Sequence, residues 1–178
     1  MKNICVFCSA GDVEERYVQE TVKFGELMVA HGYDLVWGGS NVGLMKVIAD
    51  TVQNAGGKLI GISVEFLRDK VRDKVDEMII SPNIGERKRL LLDRGDAIVL
   101  LVGGLGSLSE IAEVVDLKKL NQHKKPIVIL NSYGFYAGLK AQLERMYKEH
   151  FLHKSLSELL YFAESPQDVI SYLDKHVF

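Results

Sequence analysis

The sequence predicts a doubly wound α/β fold of the Rossmann-like type, a mostly parallel sheet with helices on both faces. Three observations carry that expectation. Short apolar runs alternate with amphipathic stretches of helical period along the chain. The run Asp96–Val102, DAIVLLV, is continuously apolar and branched after its first residue, the signature of a strand covered on both faces. Two such runs stop at paired glycines that lead directly into a helix. At 178 residues, 47% hydrophobic and 26% charged, the chain is expected to form one domain over residues 1–178 around its own core.

The elements follow in order. Asn3–Phe7 is the first strand, and the next helix places Tyr17, Phe24, Leu27 and Met28 on one side until His31-Gly32 ends it. Tyr33–Trp37 is a strand closed by Gly38-Gly39, Val42–Asn54 a helix, and Lys58–Ser63 the third strand after Ala55-Gly56-Gly57. Val64–Lys74 is charged and lacks a period, so a loop or lid is expected there, and Glu77–Ser81 is a short strand stopped by Pro82. Gly85–Arg94 reads as helix with Arg87, Leu90, Leu91 and Arg94 on one face. After the DAIVLLV strand comes a helix over Ser107–Leu120, with Leu108, Ile111, Ala112 and Val115 expected inward. Pro126–Leu130 is a further strand, Tyr136–Glu149 a helix with Leu139, Leu143, Met146 and Tyr147 inward, and Pro166 starts a short terminal helix.

A formal net charge of -2 lacks the basic excess that drives binding to a phosphate backbone, so nucleic acid is not the expected partner. No apolar run is long enough for a bilayer, and the N-terminal run is short and turns acidic at once, so the expected location is cytoplasmic, with no membrane partner. Cys5 and Cys8 have C-x-x-C spacing but fall within a strand. Alternating side-chain direction sends them to opposite faces, and packing is their expected role. His150 and His153 have no matching ligand set, so no metal is expected, and Asp50, Glu113 and Asp116 read as helix-surface or supporting charges.

The chemistry is expected in two loops at the carboxyl edge of the sheet, Gly38-Gly39-Ser40-Asn41-Val42-Gly43 and Gly103-Gly104-Leu105-Gly106-Ser107. Helix N-termini at that edge present unpaired N–H groups, and glycine lets amides approach a phosphate closely. Ser40 or Ser107 can cap its helix or bond a phosphate oxygen. Neither loop has the spacing of a dinucleotide or triphosphate motif, which leaves a monophosphate as the better fit. Glu110 stands three residues after Ser107. That spacing favours a capping box, while a position facing the cleft stays open. Glu86-Arg87-Lys88-Arg89 follows a turn, where Arg87 can offer a planar fork of donors to an anion or to Glu110.

Taken together in order, these segments resemble the LOG (Lonely Guy) family of cytokinin riboside 5′-monophosphate phosphoribohydrolases, long labelled lysine decarboxylases. Ile4-Cys5-Val6-Phe7-Cys8 is similar to the family's I-C-V-F-C-G-S-S, and Gly38-Gly39 through Gly43-Leu44-Met45 to its G-G-G-x-x-G-L-M-G. Glu86-Arg87-Lys88 and Val102-Gly103-Gly104-Leu105-Gly106-Ser107-Leu108-Ser109-Glu110 are similar to E-R-K and P-G-G-x-G-T-x-x-E. Val102, Ser107 and Ser109 depart from Pro, Thr and Glu, Ser40 and Lys46 from glycines of the first loop, Ser9 and Ala10 from Gly and Ser, and Gly85 from a frequent His.

The resemblance implies a homodimer that cleaves AMP-like nucleotides to free base and ribose 5-phosphate without metal or cofactor. Arg87 and Glu110 would act at the reacting bond, which moves Glu110 from capping to catalysis. Ser9, Gly38, Gly39, Ser40, Gly43, Met45, Lys88, Gly103, Gly104, Leu105, Gly106 and Ser107 would hold a nucleoside monophosphate. No pyridoxal-phosphate lysine motif supports the decarboxylase label. Two other readings are a carrier of a phosphorylated ligand resembling molybdenum cofactor carriers, and a nucleoside deoxyribosyltransferase-like enzyme.

Overall fold

A computed structural model describes residues 2–177. Seven strands form one sheet: β1 (Lys2–Phe7), β2 (Tyr33–Trp37), β3 (Leu59–Val64), β4 (Glu77–Ser81), β5 (Ala97–Leu100), β6 (Ile127–Leu130) and β7 (Tyr161–Ala163). Their order is β4-β3-β2-β1-β5-β6-β7, and every neighbouring pair is parallel. The chain thus winds outward from β1 in one direction, returns, and winds outward again from β5. The crevice between the carboxyl ends of β1 and β5 is the switch point at which such sheets take ligands. This is the Rossmann-like α/β architecture expected from the alternating runs.

Helices cover both faces because the strands are apolar on both. On one face α1 (Glu15–Ala30), α2 (Gly43–Asn54) and α7 (Pro166–His176) pack Phe24, Met28, Ile48 and Leu173 against Ile4, Val6 and Trp37. On the other, α3 (Ile84–Arg94), α4 (Leu105–Lys119), α5 (Ala137–Lys148) and α6 (Leu156–Leu159) lie over Cys5, Phe7, Val36 and Leu100. Cys5 and Cys8 fall in opposite layers, both buried and unpaired, as strand alternation requires. Caps fix the helix starts: Asn83 accepts the Glu86 N–H at 2.9 Å ahead of α3, and Ser165 precedes Pro166 and accepts the Asp168 N–H at 3.2 Å.

Three elements differ from the expected pattern. The segment after β3 is a 3-10 turn over Glu65–Lys70, and the residues that follow cross the first glycine loop as a strap. Val71 bridges Ser40, the Asn41 N–H donates to the Lys70 carbonyl at 2.9 Å, and the Arg72 N–H donates to the Gly39 carbonyl at 2.8 Å. Arg72 then spans to Asn41 (3.0 Å), Gln53 (2.8 Å) and Asp50 (2.6 Å). The stripe on α4 is also corrected. Ile111 and Val114 are buried, Leu108 and Val115 are half-buried, and Ala112 is exposed. On α5 no residue is fully buried, and Tyr147 is 45% exposed where it was expected inward. Between the two helices lies an apolar cleft of about 330 Å³, lined by Leu108, Ala112, Leu139, Leu143 and Met146. Among the described residues no helix is long and apolar enough to cross a membrane.

Candidate active site

Arg87 projects from the first turn of α3, and its side chain meets three separate elements. Nε donates to the Ile62 carbonyl of β3 at 3.0 Å, and Nη1 donates to Glu110 Oε1 of α4 at 3.0 Å. Its guanidinium also lies over Gly38 at the end of β2, where a Cβ would come within 2.4 Å of Nη2 and 3.0 Å of the Met45 sulfur. Only glycine leaves that room. The pair is well shielded, with side chains 15% and 12% exposed.

The expected capping box does not form. α4 begins at Leu105 with Gly104 as its N-cap, two residues before Ser107, and the Ser107 hydroxyl donates to the Cys8 carbonyl at 3.1 Å, tying this loop to the end of β1. Glu110 is therefore free to face Arg87. Its Oε2 accepts no hydrogen bond among the described residues and is not sealed from solvent. It borders a cleft of about 300 Å³ between α3 and α4, together with Phe7, Lys88 and Val114. Burial raises the Glu110 carboxyl above the usual range, and Arg87 and Lys88 pull it down only in part. A proton acceptor or charge stabiliser shifted this way, beside an arginine and in a cleft, is a functional-site signature.

The N-terminus of α4 is open. No side chain caps it, the Leu108 N–H is taken by the Gly104 carbonyl, and the preceding N–H groups of Leu105, Gly106 and Ser107 have no intrahelical partner. Gly104, Leu105 and Gly106 are exposed, Leu105 at 85%, and a Cβ on Gly104 or Gly106 would meet nothing within 4 Å. From Gly106 to Glu110 the helix rises about 6 Å, comparable with the span of a ribose from its 5′-phosphate to its anomeric carbon. An anion on those amides would therefore bring the sugar's C1 toward the Glu110 carboxylate.

The first glycine loop is placed differently. Gly38, Gly39 and Ser40 are buried, Ser40 at 3% exposure, and the Ser40 carbonyl accepts the Trp37 indole N–H at 3.3 Å. Gly43 adopts φ +51°, and a Cβ there would sit 2.5 Å from the Ala10 carbonyl carbon. The Met45 N–H donates to the Ser9 carbonyl at 3.4 Å, so the Ser9–Gly11 turn fills the start of α2. Gly38 and Met45 thus join the site by shaping the berth of Arg87. Gly39 lies against Met78 and the Ile62 backbone, Ser40 lies under the strap at Val71, and Ser9 and Gly43 meet at the start of α2. Lys88 is held by Ser109 Oγ at 2.9 Å and Glu113 at 2.8 Å. Glu113 and Asp50 are thereby accounted for, as partners of Lys88 and of Lys46 with Arg72, and Asp116 pairs with Lys119. Tyr136, missed in the sequence, supports the loop by donating its hydroxyl to the Leu101 carbonyl at 2.9 Å. Only an aromatic just after a strand end hinted at it.

Sheet order, switch point and crevice define a Rossmann-like α/β protein with an anionic and a cationic side chain paired beside an open helix N-terminus. Comparison with known proteins makes this specific. The family model described as "Possible lysine decarboxylase" matches residues 45–173. A cytokinin riboside 5′-monophosphate phosphoribohydrolase of Arabidopsis thaliana is 32% identical across 99% of this chain and 84% of its own. One from Mycobacterium tuberculosis is 28% identical across 94% and 90%. Among solved structures, the molybdenum cofactor binding protein of Rippkaea orientalis superposes with a TM-score of 0.74 at 25% identity, covering 98% of this chain and 96% of that one. The chain belongs to the LOG family.

Proposed function

We propose that the protein hydrolyses the N-glycosidic bond of a nucleoside 5′-monophosphate, AMP or a cytokinin riboside 5′-monophosphate, to give free base and ribose 5-phosphate. The observation that carries this is the Arg87–Glu110 pair set one helical turn from the uncapped N-terminus of α4, in a chain whose relatives are named for that reaction. The Gly103–Ser107 segment receives the 5′-phosphate on its backbone amides and on the positive end of the helix dipole. As the C1′–N bond breaks, its electron pair leaves with the base, and positive charge builds on the ribose. The Glu110 carboxylate stabilises that charge, orients the water that forms the new C1′–O bond and takes its proton, which is then passed on to the departing base. Arg87 fixes the carboxylate at 3.0 Å and fills the far side of the site. Lys88 keeps α3 and α4 together at the cleft.

The test is incubation of the pure protein with AMP and with an N6-modified AMP, followed by chromatography for free base and ribose 5-phosphate. Wild-type protein is expected to release base and Glu110→Ala to release none. Tight binding with no product in wild type would instead favour a carrier, the reading suggested by likeness to the Rippkaea orientalis protein. Product only in the presence of an acceptor base would favour a transferase. We further propose a homodimer. The apolar cleft between α4 and α5, with Ala112 open on its wall, supports it, because a soluble chain gains by covering such a face with its own copy.

A further inference from the structure

The amino edge of the sheet, opposite Arg87 and Glu110, carries a second polar cavity. It occupies about 470 Å³ beside Pro126, just ahead of β6, and three lysines line it: Lys118 in the last turn of α4, Lys124 in the connection to β6, and Lys154 just before α6. Among the described residues none of the three has a carboxylate within ion-pair distance, whereas Lys46, Lys88 and Lys119 each do. The Lys154 ammonium donates to the Lys118 carbonyl at 3.2 Å and to Asn121 Oδ1 at 2.6 Å, which holds it at the rim. One acid borders the cavity, Glu158, and it is engaged by the Ser155 N–H (2.8 Å) and hydroxyl (2.7 Å) in the capping box of α6.

Gathering like charges in a partly buried place is unfavourable, and the ionisation of the neighbours records it. Burial first, and then Lys154, holds the Lys118 ammonium below the usual lysine range. Burial also lowers His123; its bond to the Val114 carbonyl acts the other way, and Lys118 and Lys125 lower it further. One further donor stands by, and a histidine ring lies beside it. Among the described residues the Tyr172 hydroxyl makes no hydrogen bond, and His176, whose Nδ1 donates to the Tyr172 carbonyl at 2.7 Å, keeps Nε2 without a protein partner, a donor when the ring is protonated. We propose that this cavity binds a small phosphate-bearing anion, inorganic phosphate or a phosphate monoester such as ribose 5-phosphate. Compact ammonium groups converging from three chain segments suit a phosphate dianion, which each meets as a point charge. Along α4 the site stands eight residues from Glu110, about 12 Å of helical rise. It is independent of the catalytic reading.

Nuclear magnetic resonance of the histidine rings tests this, because His123 and His176 line the cavity whereas His31, His150 and His153 do not. The His176 signal is assigned with His176→Gln. Sodium phosphate or ribose 5-phosphate is added to the full chain at constant ionic strength, with chloride as the reference. Both rings are expected to shift saturably, and the Lys118→Gln, Lys124→Gln double variant is expected to bind at least tenfold more weakly with an unchanged rate of AMP turnover. If that variant does not fold, Lys124→Gln alone, at an exposed position, is expected to weaken binding about threefold. Tighter saturation by ribose 5-phosphate identifies a monoester site, and equal saturation identifies a site for phosphate itself. Rings that do not move, or that saturate identically in the variants, overturn the proposal.

Discussion

Gly38→Ala is the sharpest probe of the Arg87 berth. An added Cβ would stand 2.4 Å from Arg87 Nη2 and 3.0 Å from the Met45 sulfur, so the guanidinium must withdraw by roughly 1 Å to regain van der Waals contact. Arg87 cannot withdraw and keep both of its 3.0 Å bonds, one to Ile62 O and one to Glu110. A hydrogen bond to a charged group contributes about 1.5–3 kcal/mol. At 1.36 kcal/mol per tenfold in rate, losing the bond to Glu110 in the transition state lowers kcat/KM about 10- to 100-fold. The fold should tolerate the change better. Gly38 is not in the left-handed region, and the obstructing atom is the tip of a flexible side chain. A stability loss of about 1–2 kcal/mol corresponds to a Tm fall of roughly 2–8 °C at this chain length. Base release from AMP measures the first quantity and circular dichroism melting the second. In Arg87→Ala the added methyl meets only the Met45 sulfur, the end of a flexible side chain at 3.0 Å, so Gly38→Ala should have little further effect on that background. Wild-type kcat/KM in Gly38→Ala, or full additivity with Arg87→Ala, refutes the assignment.

Because burial raises the Glu110 carboxyl and the proposed reaction needs it ionised, the acid limb of kcat/KM in the wild-type protein should lie above the ordinary carboxyl range near 4.3, and a limb at or below that range would refute the role. The folded chain binds that proton more tightly than the unfolded one. Wild-type stability relative to Glu110→Gln should therefore fall as pH rises from the unfolded carboxyl's pKa to the raised folded one, as melting across pH will record. Gly104→Ala adds a methyl that meets nothing in the protein, so its Tm should stay within about 2 °C of wild type while KM for AMP rises severalfold; an unchanged KM would remove Gly104 from the phosphate loop. Ala112→Glu places a charge on the apolar cleft wall and should shift the chain to monomer in sedimentation velocity, with its monomer fold intact.

Strand existence was legible wherever a strand lies deep in the sheet. β1, β2, β3, β5 and β6 fall within a few residues of expectation because a parallel strand with two covered faces must be apolar throughout, and the edge strand β4 keeps its expected bounds, Glu77–Ser81, because Pro82 marks its end. β7 was not seen, since three residues, Tyr161–Ala163, are too few to show a period, and α6 is a single turn. The α4 and α5 stripes were legible as faces. Whether a face is covered depends on the distance between helices, which period does not encode, so Ala112 and Tyr147 were misplaced. At the site, Arg87 and Glu110 stood out as residue types at helix starts, but their 3.0 Å contact joins positions 23 apart and exists only through the order of the strands. The capping-box reading of Glu110 failed because α4 starts two residues earlier than Ser107 suggests.

The two glycine loops look alike in sequence, yet beyond Gly103, where a Cβ would come within 2.2 Å of Ser107 Oγ, the space around them differs. At Gly38, Gly39 and Gly43 a Cβ would strike protein atoms at 2.4, 3.1 and 2.5 Å, and the strap through Arg72 closes this loop from outside. Those glycines are needed by the protein's own interior, chiefly to admit Arg87. At Gly104 and Gly106 nothing in the chain approaches, so no internal contact requires glycine there. A helix start with no side chain and no cap gives up conformational and capping stability, on the order of 1 kcal/mol for each. The buried ion pair nearby contributes little to stability in return, because desolvation offsets its attraction. A region that is costly on both counts and open to solvent is what a ligand supplying the missing acceptor would compensate, and this supports the proposal that the second loop, rather than the first, receives the phosphate.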